Sequence, residues 1–270
     1  ANYYYLNTLS VNEIKKAFPN ESIGNIMFIG GWPELYTNKN ISVVRYLNDY
    51  IRNYIEKDIV LSAGVQKQNE FHTVLGMLAA RTGELLNYSA VANNSGVKSI
   101  TIKEWASILE KTNLIYLLKP YANNLNKRLV KIPKLYFLDT GLAVRLQGWS
   151  EPEPFMKNPY VGHIFETLVL SEIIKCMNNY GKNWNVYMWR TKDGEEIDFV
   201  IEKANGDVLA LDAKMGIHSV EPKSLPKSFT NTFKNVKQLI LVSFGGKKLF
   251  LTKNCMQLPI SKLTDFLRNF

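Results

Sequence analysis

A chain of 270 residues exceeds one simple core, and two or three domains of about 100 residues each are expected. A hydrophobic fraction of 46% with 12% aromatics excludes a disordered chain. The 33 Lys and Arg outweigh the 24 Asp and Glu, for a formal charge of +9, which favours a polyanionic partner and makes DNA the expected one.

No apolar run reaches the roughly 18 residues needed to span a bilayer, and ANYYYLNTLS lacks the charged and apolar regions of a secretory signal. The expectation is a cytoplasmic protein with no membrane partner. Cys176 and Cys255 stand in unrelated contexts and form no zinc-type cluster; Cys176 lies in an apolar helical pattern and reads as a buried thiol.

Residues 1–57 read as a helical segment. In VVRYLNDYIRNYIEKDIV, Val44, Leu47, Ile51, Ile55 and Ile59 recur at helical spacing, and GGWPEL breaks the run before it. Residues 58–148 hold eleven Lys/Arg against six Asp/Glu, the most basic stretch per residue. Helices are predicted over NEFHTVLGMLAARTG and NYSAVANNSG, and a third from Thr101, where TIKE forms a capping box with Glu104. Two strands, LIYLLKPY and KIPKLYFLD, flank the polar loop ANNLNKR.

Three helices and a basic hairpin are the order of a winged helix-turn-helix, whose third helix enters the major groove while the wing touches phosphates. The candidate phosphate contacts are Lys98, Lys103, Lys127, Arg128, Lys131 and Lys134. An ordinary solvated face of a protein-docking module is the competing reading. Residues 149–159, with Pro152, Pro154 and Pro159, read as a linker. Asp139 in LYFLDTGL reads as the cap of the helix after it.

Residues 160–270 read as an α/β domain, so the whole chain is expected to be multidomain α+β. A long helix, VGHIFETLVLSEIIKCM, precedes three strands, NVYMWR, EEIDFVIE and DVLALDAK. A Pro-interrupted helical stretch around 222–235, the strands KQLILVSF and KKLFLT, and a terminal helix ISKLTDFLRNF follow.

The hairpin EEIDFVIEKANGDVLALDAK carries the chemistry. If Ala204, Asn205 and Gly206 form a three-residue loop with Gly206 left-handed, Lys203 pairs with Asp207 and Asp198 lies opposite Asp212. Alternation then puts Asp198, Asp212 and Lys214 on one face and Ile197, Phe199, Ile201, Leu209 and Leu211 on the other; a two-residue turn would separate the aspartates. Facing carboxylates repel, and Mg²⁺ would resolve the conflict, with Lys214 placed to act on a water.

A strand Asp, a second strand bearing Asp-x-Lys and a preceding helix with Glu resemble the PD-(D/E)xK nuclease superfamily. The matching elements are Asp198 in EEIDF, Asp212 and Lys214 in LDAK, and Glu166 in GHIFE. The resemblance implies a restriction endonuclease-like fold, Asp198, Asp212 and Glu166 as metal ligands, and Lys214 as the catalytic lysine. GGWPEL, YLNDYIRNYIEKDI, LYFLDTGL, GHIFETLV and WRTKDGEEIDFVI resemble prokaryotic AAA+-type ATPases whose ATPase module is followed by a domain of unassigned function. GxxxxGK[ST] does not occur in this chain, so ATP is expected only through a missing N-terminal ATPase module, of whose lid residues 1–57 would be a remnant.

Two functions remain open: a Mg²⁺-dependent phosphodiester-cleaving module associated with DNA, or a silent nuclease fold acting as a DNA- or protein-binding regulatory module of the ATPase. Arg190, at a strand end after Trp189, is a further phosphate candidate. Glu172 is a rival acid on the first helix, Glu196 an outer-shell candidate, and His163 reads as a capping or packing residue. His72 and His218 have no partner at metal-ligand spacing.

Overall fold

The computed structural model describes residues 5–59, 65, 67–121, 132–236 and 238–270. Two compact units emerge: one comprises Ala1–Ile23, Leu118–Lys131 and Leu168–Phe270, the other Gly24–Leu117 and Ile132–Thr167. Neither is a continuous stretch, so the consecutive boundaries expected from sequence do not mark the compact bodies.

In the second unit, α2 (Ile23–Ile29), α3 (Pro33–Thr37) and α4 (Val43–Tyr50) come first, and α4 runs on into a π-helical stretch, Ile51–Ile59. Leu47, Ile51, Ile55 and Ile59 are all buried. A period of four keeps them on one face of a helix wound wider than an α-helix. Pro33 stands in the first turn of α3, so GGWPEL both breaks the chain and starts a helix.

Next come α5 (Gln68–Ala79), β1 (Glu84–Leu85), α6 (Tyr88–Ser95), α7 (Ser99–Lys111), β2 (Ile115–Leu118) and β3 (Lys134–Phe137), with sheet order β1-β3-β2. The two-residue strand β1 is too short to leave a sequence pattern. α6 is capped by Asn87 at its start and closed by left-handed Gly96. The expected capping box at Thr101 does not form. α7 starts two residues earlier with Lys98 as N-cap, which places Thr101 inside the first turn.

α8 (Thr140–Leu146) follows β3 and is capped by Asp139, whose carboxylate accepts from Leu142 N at 3.0 Å. The same carboxylate accepts from Gly31 N at 2.9 Å and Trp32 Nε1 at 3.2 Å, tying GGWPEL to LDTGL. The close approach explains two glycines: a Cβ on Gly30 would run into the Asp139 carboxylate, and one on Gly141 into the Ile29 carbonyl. Residues 149–159 are not an open linker. Pro152 opens α9 (Pro152–Met156), and fully buried Phe155 packs its ring 6.1 Å from Phe28 and 6.3 Å from Trp149.

α10 (Val161–Asn179) begins among the residues of this unit and ends among those of the other. The first unit is built on a six-stranded mixed sheet, order β4-β5-β6-β7-β9-β8. Its strands are β4 (Trp184–Arg190), β5 (Glu196–Lys203), β6 (Val208–Lys214), β7 (Leu239–Ser243), β8 (Leu249–Thr252) and β9 (Cys255–Pro259). β9 is not among the strands expected from sequence. It pairs parallel with β7 and antiparallel with β8, and so stands between them. α11 (Lys227–Thr232) covers one face with Phe229, and a 3₁₀ turn leads into α12 (Leu263–Arg268).

Residues 5–17 belong to this unit, with α1 (Val11–Ala17) opened by a capping box between Ser10 and Glu13. Buried Glu172 accepts from Val11 N and the Thr264 hydroxyl, both at 3.0 Å, while Lys175 Nζ donates to Leu9 O at 2.9 Å. The stretch after β2 also joins here: Tyr121 N donates to Met188 O at 2.7 Å on β4.

Both thiols are buried, and desolvation pushes the Cys176 pKa up to about 11, so alkylation of the native protein at pH 8 should be slow at both. Burial likewise raises the Glu172 pKa above its usual 4.5, against the opposing effects of Lys175, Val11 N and Thr264. The native state then holds this proton more tightly than the unfolded chain, so the associated stability is full below pH 4.5 and lost as pH rises through the folded value. Glu172→Gln should flatten that part of the stability profile in denaturant titrations; parallel profiles would contradict the assignment. Asp139→Ala, which removes a cap and two further charge-assisted bonds, should cost about 3 kcal/mol in the same measurement.

Candidate functional site

The β5–β6 hairpin sets the geometry. Lys203 N donates to Asp207 O and Gly206 N to Lys203 O, both at 2.9 Å, and Gly206 is left-handed, so Ala204, Asn205 and Gly206 form the three-residue loop. The register runs from Glu202 opposite Val208 to Phe199 opposite Leu211. Beyond that pair the ladder between these strands ends, although β5 stays paired to β4 and β6 to β7. Asp198 and Asp212 stand at the fork.

Their carboxylates replace the lost ladder acceptors. Asp198 N donates to Asp212 Oδ1 at 3.0 Å, and Ala213 N donates to Asp198 Oδ2 at 2.8 Å. The reciprocal arrangement satisfies two backbone N–H groups that strand separation would otherwise leave unmet. Both faces of the hairpin are buried. Val200, Val208 and Ala210 pack with Phe229 and Phe233 of the α11 region, and Ile197, expected on the opposite side, joins this cluster.

Asp212 is 1% exposed, and the cation that meets it is Lys223, from the loop between β6 and α11. Lys223 Nζ donates to Asp212 Oδ2 and, at 2.8 Å, to the Glu196 carbonyl. Sequence reasoning misses Lys223, since EPKS carries no signal beyond a loop lysine. Lys214 ends β6 with its side chain exposed, and no side-chain partner is found for it among the described residues.

Glu166 lies elsewhere in its bonding. Lys134 Nζ meets its Oε1 at 3.0 Å, and the Tyr136 hydroxyl donates to the same oxygen. Lys134, expected at a phosphate-facing surface, is therefore turned inward and only 7% exposed, because β3 directs it at Glu166. Glu172 is committed to α1 and Thr264, as described for the fold. Arg190 is half exposed at the end of β4, opposite Glu196, with 3.8 Å between their charged groups. Lys98 and Lys103 are exposed at the start of α7, whereas Lys127, Arg128 and Lys131 lie outside the described residues. His163 Nδ1 is buried, close to Gly83, with no hydrogen-bond partner among the described residues.

Mg²⁺ asks for near-octahedral oxygen ligation, supplied by one or two carboxylates with water. Here Asp212 is closed off by Lys223 and by Asp198 N, Asp198 holds Ala213 N, and Glu166 is engaged by Lys134 and Tyr136. Among the described residues no group of three or more His, Cys, Asp or Glu side chains gathers as a metal ion requires. As arranged, the donor set does not fit the ion. No described helix is long and apolar enough to cross a membrane.

Residues 20–153 match the family described as a domain of unknown function (DUF8612), and residues 161–263 the one described as a domain of unknown function (DUF4143). The uncharacterized protein Rv2008c of Mycobacterium tuberculosis is 26% identical over 174 residues, covering 64% of this chain and 38% of the relative. The uncharacterized protein Mb2031c of Mycobacterium bovis aligns with the same figures. The uncharacterized protein MJ1637 of Methanocaldococcus jannaschii is 20% identical over 244 residues, or 88% of this chain and 48% of the relative. The chain thus spans less than half the length of these relatives, and no solved structure matches it. Both matched regions are similar to families without an assigned function, and together they cover most of the chain.

Proposed function

We propose that residues 160–270 form a PD-(D/E)xK-like fold in a catalytically silent state, and that the chain serves as a DNA- or protein-binding regulatory module of an AAA+-type ATPase. The observation that carries this reading is Lys223, whose ammonium takes the buried Asp212 carboxylate at the point where a divalent ion would have to sit. The helix order α5-β1-α6-α7 followed by two paired strands supports a winged helix in the second unit, with Lys98 and Lys103 of α7 as its exposed basic residues. The ATPase association rests on the resemblance of the sequence strings, and the ATPase module is the expected partner.

One observation favours a cleaving version: the register brings Asp198 and Asp212 together at an opened fork with Lys214 on the same strand. It requires Lys223 to leave Asp212. Incubation with supercoiled, linear and single-stranded DNA in Mg²⁺ or Mn²⁺ separates the two. The silent reading expects no cleavage above that of Lys214→Ala, whereas metal-dependent cleavage lost in that variant would overturn it.

A second measurement needs no activity. Lys223→Met strands a buried carboxylate, and with the lysine partly exposed the expected loss is about 1–3 kcal/mol. Millimolar Mg²⁺ should leave the melting temperature of this variant unchanged. A rise towards the native value would show that the carboxylates accept a cation and would count against the silent reading.

A further inference from the structure

We infer that the second unit carries a binding groove for single-stranded nucleic acid, separate from α7 and independent of the carboxylate fork. Two cavities, of about 790 and 530 Å³, both lie within the residues of this unit and share Gly76 and Leu146 in their walls. They therefore adjoin at Gly76 of α5 and Leu146 at the end of α8.

Arg52, His72 and Arg145 line the larger cavity, and Arg81 with His163 the smaller. Among the described residues lining either, Glu84 is the lone carboxylate. The arginines are steered by neutral groups. Arg145 donates to Asn48 Oδ1 at 2.7 Å and to Trp149 O at 3.0 Å, and Arg81 donates to Met77 O at 2.9 Å. Arg52, projecting from the π-helical stretch, has no side-chain partner among the described residues. Arg81 and Arg145 are thus oriented, and among the described residues no carboxylate pairs with the three arginines, which suits a polyanion.

Aromatic rings stand in the smaller cavity. Tyr160 is 64% exposed, and Trp149 is braced edge-on by Phe155. Cations interleaved with accessible rings match a backbone carrying unpaired bases, since stacking needs a base face that a duplex keeps covered. Amide side chains of Asn48, Gln68 and Asn69 line the larger cavity and supply donors and acceptors for base edges.

The test uses the full chain and a fluorescein-labelled oligothymidylate of about 12 nucleotides, read by anisotropy across a salt series. Tyr160→Ala should weaken binding about tenfold. Arg52→Glu should weaken it and reduce the slope of log affinity against log salt by about 0.7 or more. Lys39→Glu, an exposed charge reversal outside the groove, should bind like the native chain. Circular dichroism melts confirm that each variant is folded. The inference is overturned if the native chain does not bind at low salt, or if Arg52→Glu and Tyr160→Ala bind normally while Lys98→Glu/Lys103→Glu does not. It is equally overturned if a duplex of the same length binds as tightly and is lost in the same variants. None of these outcomes bears on DNA cleavage, so the groove and the silent fork stand or fall separately.

Discussion

A carboxylate taken out of water must find donors or a cation, because desolvating an unpaired charge costs several kcal/mol. Four such groups among the described residues organise this chain. Asp139 binds one helix start and two backbone or indole donors from another segment; Glu172 binds the start of α1 and a C-terminal hydroxyl; Glu166 meets Lys134 and Tyr136; Asp212 meets Lys223 and Asp198 N. Asp139, Glu172 and Glu166 join stretches far apart in sequence, and Asp212 ties together its own hairpin and the loop that follows it. The apolar cores supply most of the driving force, but these groups decide which segments lie together.

The same constraint shapes the functional reading. A nuclease-like fork and a structural ion pair begin from one arrangement, two strands parting beside two aspartates. What distinguishes them is the charge that neutralises the buried member. With a lysine from the following loop in that role, the fork is complete within the protein, and its carboxylates serve the backbone of the opposite strand.

The fork was legible in the sequence because it depends on local rules. Ala204-Asn205-Gly206 fixes the loop, the loop fixes the register, and side-chain alternation does the rest. Helices with strong periodicity were legible for the same reason, as was Asp139 as a cap. Partners brought together by tertiary folding were not. Lys223, the Lys134–Glu166 pair and the attachment of residues 5–17 to α10 leave no local trace. Nor does proline content tell a linker from a short helix when one buried aromatic, Phe155, anchors the segment. β9 stayed hidden because its five residues, ending in proline, carry no alternation.

The discontinuity of the two units bears on how the chain is made. During synthesis, domains generally fold as units from the N-terminal side. Here the second unit has all its residues once position 167 has emerged, whereas in the first α1 stays undocked until Glu172 and Thr264 appear. Of the two bodies, the one that holds α1 is therefore the later to close, although α1 precedes every element of the other.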